Sequence, residues 1–293
     1  MTKQNKRVIL VTGASRGVGK GIAEGIAQPG DIIICAARSM VEGTTVQQFG
    51  FEINSSLEDT VKNINEKGAQ GIPYEIDLNK PDEILNLATF VKEEFGCLDL
   101  LVHAACQIHD DLVTPKPYWE KSLDLWSVID VGLKSNYFLS HALTPLMIES
   151  KGKLILQISS HGAMCYMHGP IYGAQKAAID KMAFDMAHDL KPFNICSLSL
   201  WSGIVKDEKT KKVSEQHGEQ YAEFLKGAAS QEYAGMVINE IYQDSEIMNF
   251  SGSTLIAAEI GNKYGIKDID SKSPQSDRES LGGPRKYSDT VIY

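Results

Sequence analysis

Tyr172 and Lys176 stand four residues apart in the run Tyr172-Gly173-Ala174-Gln175-Lys176, with Ser159 thirteen positions upstream. On a helix, that four-residue spacing stacks two side chains on one face, which places the Lys176 ammonium beneath the Tyr172 phenol. A free phenol titrates at about pH 10 and is a poor proton carrier at neutrality. Each unit by which a nearby cation lowers that value corresponds to about 1.4 kcal/mol of preference for the phenolate, so reaching neutrality takes roughly 4 kcal/mol. One close, partly desolvated ammonium supplies much of that. A Ser159 hydroxyl then holds a substrate oxygen beside the Tyr172 proton, and the expected chemistry is proton transfer to or from that oxygen.

Such a trio needs a rigid frame. Apolar, β-branched runs recur at 8–11, 32–36, 72–76, 98–102, 153–158, 194–200 and 253–257. Their near-continuous hydrophobicity predicts parallel strands buried on both faces. Amphipathic stretches at 56–66, 81–94, 126–148 and 172–190 predict the helices between them, and the alternation gives a single-domain α/β fold, a Rossmann-type doubly wound parallel sheet with helices on both faces. Two segments stand outside this frame. Residues 39–54, rich in Gly, Thr and Gln, read as an ordered insertion loop or lid. The domain is expected to end near 262, leaving 263–293 as a polar and most often flexible extension.

The first strand runs into Thr12-Gly13-Ala14-Ser15-Arg16-Gly17-Val18-Gly19. Glycines at 13, 17 and 19 permit a tight turn and close backbone approach to a pyrophosphate, which the N–H groups of a helix N-terminus then bind. The other reading is a strand-to-helix turn without a ligand. After the second strand, Cys35-Ala36-Ala37-Arg38 offers no acid to the ribose hydroxyls. Arg38, helped by Arg16, matches a 2′-phosphate instead, so NADP(H) is favoured over NAD(H). The alternative leaves Arg38 as a solvated loop charge. Asp77, closing the third strand, suits the adenine amino group or, equally, a helix N-cap.

Composition narrows the rest. A net charge of −9 argues against nucleic acid or an anionic membrane surface as partner. No run approaches the roughly 20 apolar residues of a membrane span, and the apolar run at 8–11 is too short for a signal-peptide core. Five scattered cysteines without a CxxC pair suit reduced thiols in a cytoplasm. The seven histidines show no metal-ligand spacing, so no metal is expected.

The ordered set of a TGxxxGxG loop, a strand-end Asp, a Ser and YxxxK resembles the short-chain dehydrogenase/reductase family over about residues 7 to 260. The resemblance implies that Tyr172 is general acid for carbonyl reduction and base for alcohol oxidation. It further implies that Lys176 holds the nicotinamide ribose and Ser159 the substrate oxygen. Ser159 is chosen over Ser160 for its spacing to Tyr172 and Gly162. Leu78, Ala104, Gly203 and Val205 join the cofactor contacts on the same basis, with Tyr172 and Lys176. A homodimer or homotetramer through the helices at 126–148 and 172–190 is also implied.

Four positions depart from the family pattern. His103-Ala104-Ala105-Cys106 replaces Asn-Asn-Ala-Gly, Gly132 replaces a helix Asn, Ser202-Gly203 replaces Pro-Gly, and Asp207 replaces Thr. His103 reads either as a hydrogen-bonding substitute near the cofactor or as a packed structural residue. Gly132 reads as close packing or a bound water, with Asn136 one turn away. Met164, Tyr166, Met167 and His168 either line an apolar substrate pocket or pack their own loop. The stretch 206–227, after Trp201, is expected to cover the substrate. These residues lead to an NADPH-dependent oxidoreductase acting on an apolar ketone, aldehyde or alcohol. A redox-neutral dehydratase or isomerase and a non-catalytic dinucleotide-binding protein stand as the alternatives.

Overall fold

All seven apolar runs become parallel strands of one sheet in a computed structural model, which describes residues 6–292 apart from 42, 49, 218–224 and 226. The strands are β1 (Val8–Thr12), β2 (Ile32–Ala37), β5 (Gln70–Glu75), β6 (Leu100–His103), β7 (Leu154–Ser159), β8 (Cys196–Trp201) and β9 (Thr254–Ile256), in the order β5-β2-β1-β6-β7-β8-β9. Strands β1, β2, β6, β7 and β8 are buried at every position. That is why they read as continuous apolar runs rather than alternating ones.

Alternation along each strand then divides the core in two. Ile9, Val11, Ile33 and Cys35 pack against helices α1 (Gly17–Ile26), α2 (Leu57–Glu66) and α8 (Tyr233–Gln243). Val8, Leu10, Ile32 and Ile34 pack against α3 (Pro81–Phe95) and α5 (Ser135–Ser150) on the other face. Burying each such aliphatic side chain stabilises by about 1.5–3 kcal/mol, so the strand ends that carry the site are firmly held. The chain builds outward from β1 in one direction and returns to β6 on the other side. The order therefore reverses between β1 and β6, where a crevice opens at their carboxyl ends.

Three expectations change. The helical stretch 126–148 is not one helix: a short turn, α4 (Ser127–Ile129), leads through a π-helical turn (Asp130–Lys134) into α5. The insertion 39–54 is not a loop throughout, because β3 (Thr45–Gln48) and β4 (Phe51–Asn54) pair as an antiparallel hairpin. An isolated hairpin is marginal in water, and this one leans on α7 (Glu208–His217): the Asn54 N–H donates to Glu208 Oε2 at 3.1 Å, and Lys212 donates to the Glu52 carbonyl. The extension beyond 262 lies on the body of the protein. Asp268 accepts from the Ser230 N–H and hydroxyl at 2.7 and 2.5 Å, and Arg278 pairs bidentately with Glu259 of α9 (Ala257–Tyr264) at 2.8 and 2.7 Å. Further on, the Tyr287 ring lies 5.0 Å from Phe184 of α6 (Pro170–Leu190). Its polar composition hid these specific partners.

Candidate active site

Gly13 shows why the first turn takes glycine. Its φ is +73°, and a Cβ there would stand 2.7 Å from the Ala105 Cα, so the turn after β1 and the end of β6 touch backbone to backbone. The crevice beside them is a groove of about 310 Å³. Gly13, Ser15, Arg16, Gly17, Val18 and Gly19 form one wall, while Arg38, Asp77, Leu78 and Ala104 line it from the ends of β2, β5 and β6. The first turn of α1 carries no acidic side chain, and its N-cap Arg16 makes no side-chain cap bond. Its free N–H groups and positive dipole end suit a pyrophosphate. Gly203 and Val205 do not reach this groove. Gly203 borders a separate small cavity with His161 and Tyr233, and Val205 is buried in a bridge to Ala229.

At the far end of the groove two guanidiniums act on each other. Burial lowers the Arg16 pKa and the Arg38 charge lowers it further, with Asp207 opposing. Arg16 also donates to Ser55 Oγ at 3.1 Å. Two cations held together beside a groove favour an anion between them. Asp77 accepts from the backbone and side-chain N–H groups of Asn79, both at 3.0 Å. Desolvation pushes its carboxyl up, but those donors and the Arg38 charge outweigh it and hold the pKa below the ordinary value. Sequence reasoning missed Gln48, Ile53 and Asn54, which bring the hairpin into the groove wall beside Glu208. The signal was the strand-like Thr45-Val46-Gln47-Gln48 on one side of Gly50 and Phe51-Glu52-Ile53-Asn54 on the other. Of the expected cover, 206–217 supplies α7, while 218–224 and 226 lie outside the described residues.

The Tyr172 and Lys176 corner sits beyond the Cys106 end of the groove. Tyr172 and Lys176 share a face of α6 as expected, with Lys176 Nζ 5.4 Å from the Tyr172 ring centroid and donating to the Ile158 carbonyl at 3.3 Å. The serine is different. Ser160 Oγ lies 3.1 Å from Tyr172 Oη, whereas Ser159 is buried and donates to the Lys176 carbonyl at 3.2 Å. Consecutive residues of an extended chain point to opposite sides. Ser159 ends β7 facing inward, and Ser160, still extended at φ −159° and ψ 171°, faces the phenol.

The phenol also titrates in the other direction from that expected. Burial pushes the Tyr172 pKa up by more than the Lys176 charge pulls it down. Desolvation pulls on Lys176 too, but Tyr172, Cys106 and Asp180 outweigh it and raise the ammonium above its usual value.

Three of the four departures from the family pattern now have physical accounts. His103 is fully buried, with Nε2 2.8 Å from Ser140 Oγ, and burial pushes its pKa down to about 3. It is a neutral, packed residue. A Cβ on Gly132 would stand 1.8 Å from Gln175 Nε2, so close packing of the π turn against α6 explains that glycine. Asn136 is occupied in donating to Gln157 Oε1 at 2.9 Å. Asp207 caps α7 by accepting from the Thr210 N–H at 2.7 Å. Met164 and Tyr166 are exposed rather than packed within their loop, and the His168 ring stands edge-on to Tyr172 at 5.1 Å.

A doubly wound parallel sheet with a glycine-rich turn at its switch point defines the class of dinucleotide-binding α/β proteins. Within that class, residues 7–218 match the short chain dehydrogenase family, and the chain belongs to it. It is therefore an oxidoreductase-family protein of the kind that binds a nicotinamide dinucleotide. It is 32% identical to dehydrogenase/reductase SDR family member 1 of Homo sapiens, covering 92% of this chain and 86% of that protein. Its fold is similar to that of L-sorbose reductase from Gluconobacter frateurii, complexed with NADPH and L-sorbose. That likeness has a TM-score of 0.68 and 22% identity, over 86% of this chain and 94% of that one. It is also similar to a 3-oxoacyl (acyl-carrier-protein) reductase from Agrobacterium tumefaciens with NADP bound, with a TM-score of 0.70 and 22% identity over 85% and 92%. No helix among the described residues is long and apolar enough to cross a membrane.

Proposed function

We propose that the protein is an NADPH-dependent carbonyl reductase acting on an apolar ketone or aldehyde, with Tyr172 as the proton donor. The observation that carries this reading is the 3.1 Å approach of Ser160 Oγ to Tyr172 Oη above the Lys176 ammonium. A reduced nicotinamide in the groove supplies the hydride that the carbonyl carbon accepts. The chain's own residues handle the oxygen. Ser160 and Tyr172 hydrogen-bond it, and Tyr172 gives up its phenolic proton as negative charge develops there. Lys176 stabilises the phenolate left behind.

A phenol whose pKa is raised stays protonated at neutral pH, which supports reduction over the reverse oxidation. The juxtaposed Arg16 and Arg38 support the 2′-phosphate form of the cofactor. The likeness to proteins bound to NADPH and NADP agrees with this reading, and exposed Met164 and Tyr166 beside the corner suit an apolar substrate. A homodimer or homotetramer in the cytoplasm remains part of this proposal.

The test is a panel of ketones and aldehydes offered with NADPH or NADH, followed by oxidation of the reduced nicotinamide. Turnover with NADPH should fall by about 10²–10⁴ in Tyr172→Phe, while NADPH still binds by fluorescence. A phenylalanine variant that reduces the best substrate as fast as the parent would overturn the assignment of the acid. No turnover by the parent, despite tight cofactor binding, would favour a non-catalytic dinucleotide-binding protein.

A further inference from the structure

Asp180 lies on α6 one turn beyond Lys176, and it is 4% exposed. Nothing in the YxxxK pattern calls for a carboxylate there. The Trp201 indole N–H reaches both of its oxygens, at 3.2 Å to Oδ1 and 3.1 Å to Oδ2, and Trp201 is itself fully buried at the end of β8. The Ser159 and Ser199 hydroxyls, which donate to the Lys176 carbonyl at 3.2 Å and to Thr254 Oγ1 at 2.9 Å, also lie close enough to favour the ionised form of Asp180. Ser159, displaced from the phenol by Ser160, thus joins Asp180 to the backbone of Lys176.

A buried carboxylate held only by neutral groups is costly unless its charge serves another buried charge. Lys176 is that charge. Three groups favour its ammonium form: Tyr172, Cys106 and Asp180. A phenol does so only once ionised, and the Tyr172 phenol resists ionisation. Asp180 is the one carboxylate among the three, and therefore the one that acts while Tyr172 still holds its proton.

We propose that Asp180 is a positioning residue for proton transfer: held by the Trp201 indole one helical turn beyond Lys176, it supplies negative charge that favours the Lys176 ammonium beneath a protonated Tyr172. The catalytic consequence rests on the reading of Tyr172 as proton donor; the charge on Lys176 does not. The other titratable groups around the carboxylate are few. His161 stacks on the far side of Trp201 at 4.8 Å between ring centroids, and Tyr287 of the C-terminal segment feels the Asp180 charge. Burial lowers the His161 pKa and raises that of Tyr287, so near neutrality both leave Asp180 and Lys176 as the facing charges. Burial raises Asp180 to about 6, with the serine and indole donors and Lys176 opposing. It is ionised at neutral pH and neutralised in mild acid.

The test needs no substrate. Nuclear magnetic resonance of ¹⁵N-lysine-labelled full-length protein follows the Lys176 ammonium against pH, with the signal assigned by its loss in Lys176→Met. Asp180→Asn should lower the Lys176 titration midpoint by about one pH unit or more. Asp180→Glu should keep it near the parent value. Trp201→Phe, which disturbs packing but retains the carboxylate, should move it far less than Asp180→Asn. Asp180→Ser serves in the same way if the asparagine variant does not fold. An unchanged Lys176 midpoint in the uncharged variants overturns the proposal, as does an equal shift in Trp201→Phe. If the lysine titration shifts as expected while Tyr172→Phe retains full activity, the charge relation stands and the assigned acid fails.

Discussion

At the glycine-loop end of the cleft the wall is made of backbone N–H groups, close-packed glycines and two guanidiniums. At the Tyr172 end stand a phenol, an ammonium and a carboxylate enclosed by Trp201, His161 and β8. The contrast is one of dielectric. The Arg16 and Arg38 charges border an open groove, where one side chain can be changed without leaving a buried charge alone. Lys176 and Asp180 are buried, so removing either partner uncovers the other, and the penalty appears as a shifted titration or lost stability. The glycine-loop end is thus the more tolerant of substitution, and the Tyr172 end the less.

The largest difference between the two ends should come from the neighbouring serines. Ser160→Ala removes the hydroxyl facing Tyr172 and should lower kcat/KM by about 100-fold or more. Ser159→Ala loses the bond to the Lys176 carbonyl and the hydroxyl beside Asp180, and should chiefly cost about 0.5–1.5 kcal/mol in urea unfolding. Comparable kinetic losses in the two variants would mean that the facing of these side chains has been misassigned. At the glycine-loop end, Arg38→Ala should weaken NADPH binding by about 10–100-fold and leave NADH binding nearly unchanged. Equal weakening of both cofactors would remove the 2′-phosphate role.

Two smaller effects probe the packing that separates the ends. Gly132→Ala puts a methyl against the Gln175 amide and should destabilise by about 1–3 kcal/mol, measurable by denaturant titration. His103 tests the cost of a buried titratable group. Its folded pKa lies below its unfolded value, so below about pH 6.5 the unfolded state binds the extra proton and the parent loses stability as pH falls. His103→Asn should therefore flatten the acid limb of stability, sparing up to about 1.4 kcal/mol per unit between pH 6.5 and the folded value. An identical slope in parent and variant would show that another group sets that limb.

Much of the frame was legible because it is written in local patterns. The apolar runs became β1, β2 and β5 to β9, and the glycine run became the turn between β1 and α1. The Tyr172 to Lys176 spacing became one face of α6. The hairpin was obscured by its Gly-, Thr- and Gln-rich setting, and its strands lean on α7, more than 150 residues away in sequence. The tail was read as flexible because Asp268, Arg278 and Tyr287 look like ordinary surface residues until Ser230, Glu259 and Phe184 are brought beside them. Gly132 was legible as an anomaly but not as a contact, since Gln175 sits on another helix.

The amino-acid order alone determined the family, the doubly wound sheet, the glycine-rich turn and the pairing of Tyr172 with Lys176. Each follows from the periodicity of a single strand, turn or helix. Only the tertiary structure decided that Ser160 rather than Ser159 meets the phenol, that burial outweighs the ammonium in setting the Tyr172 pKa, and that Asp180 stands beneath Lys176 under the Trp201 indole. Those outcomes depend on how β7, β8 and α6 pack together. Desolvation and the facing of adjacent side chains are set by the surrounding elements, which local spacing does not contain.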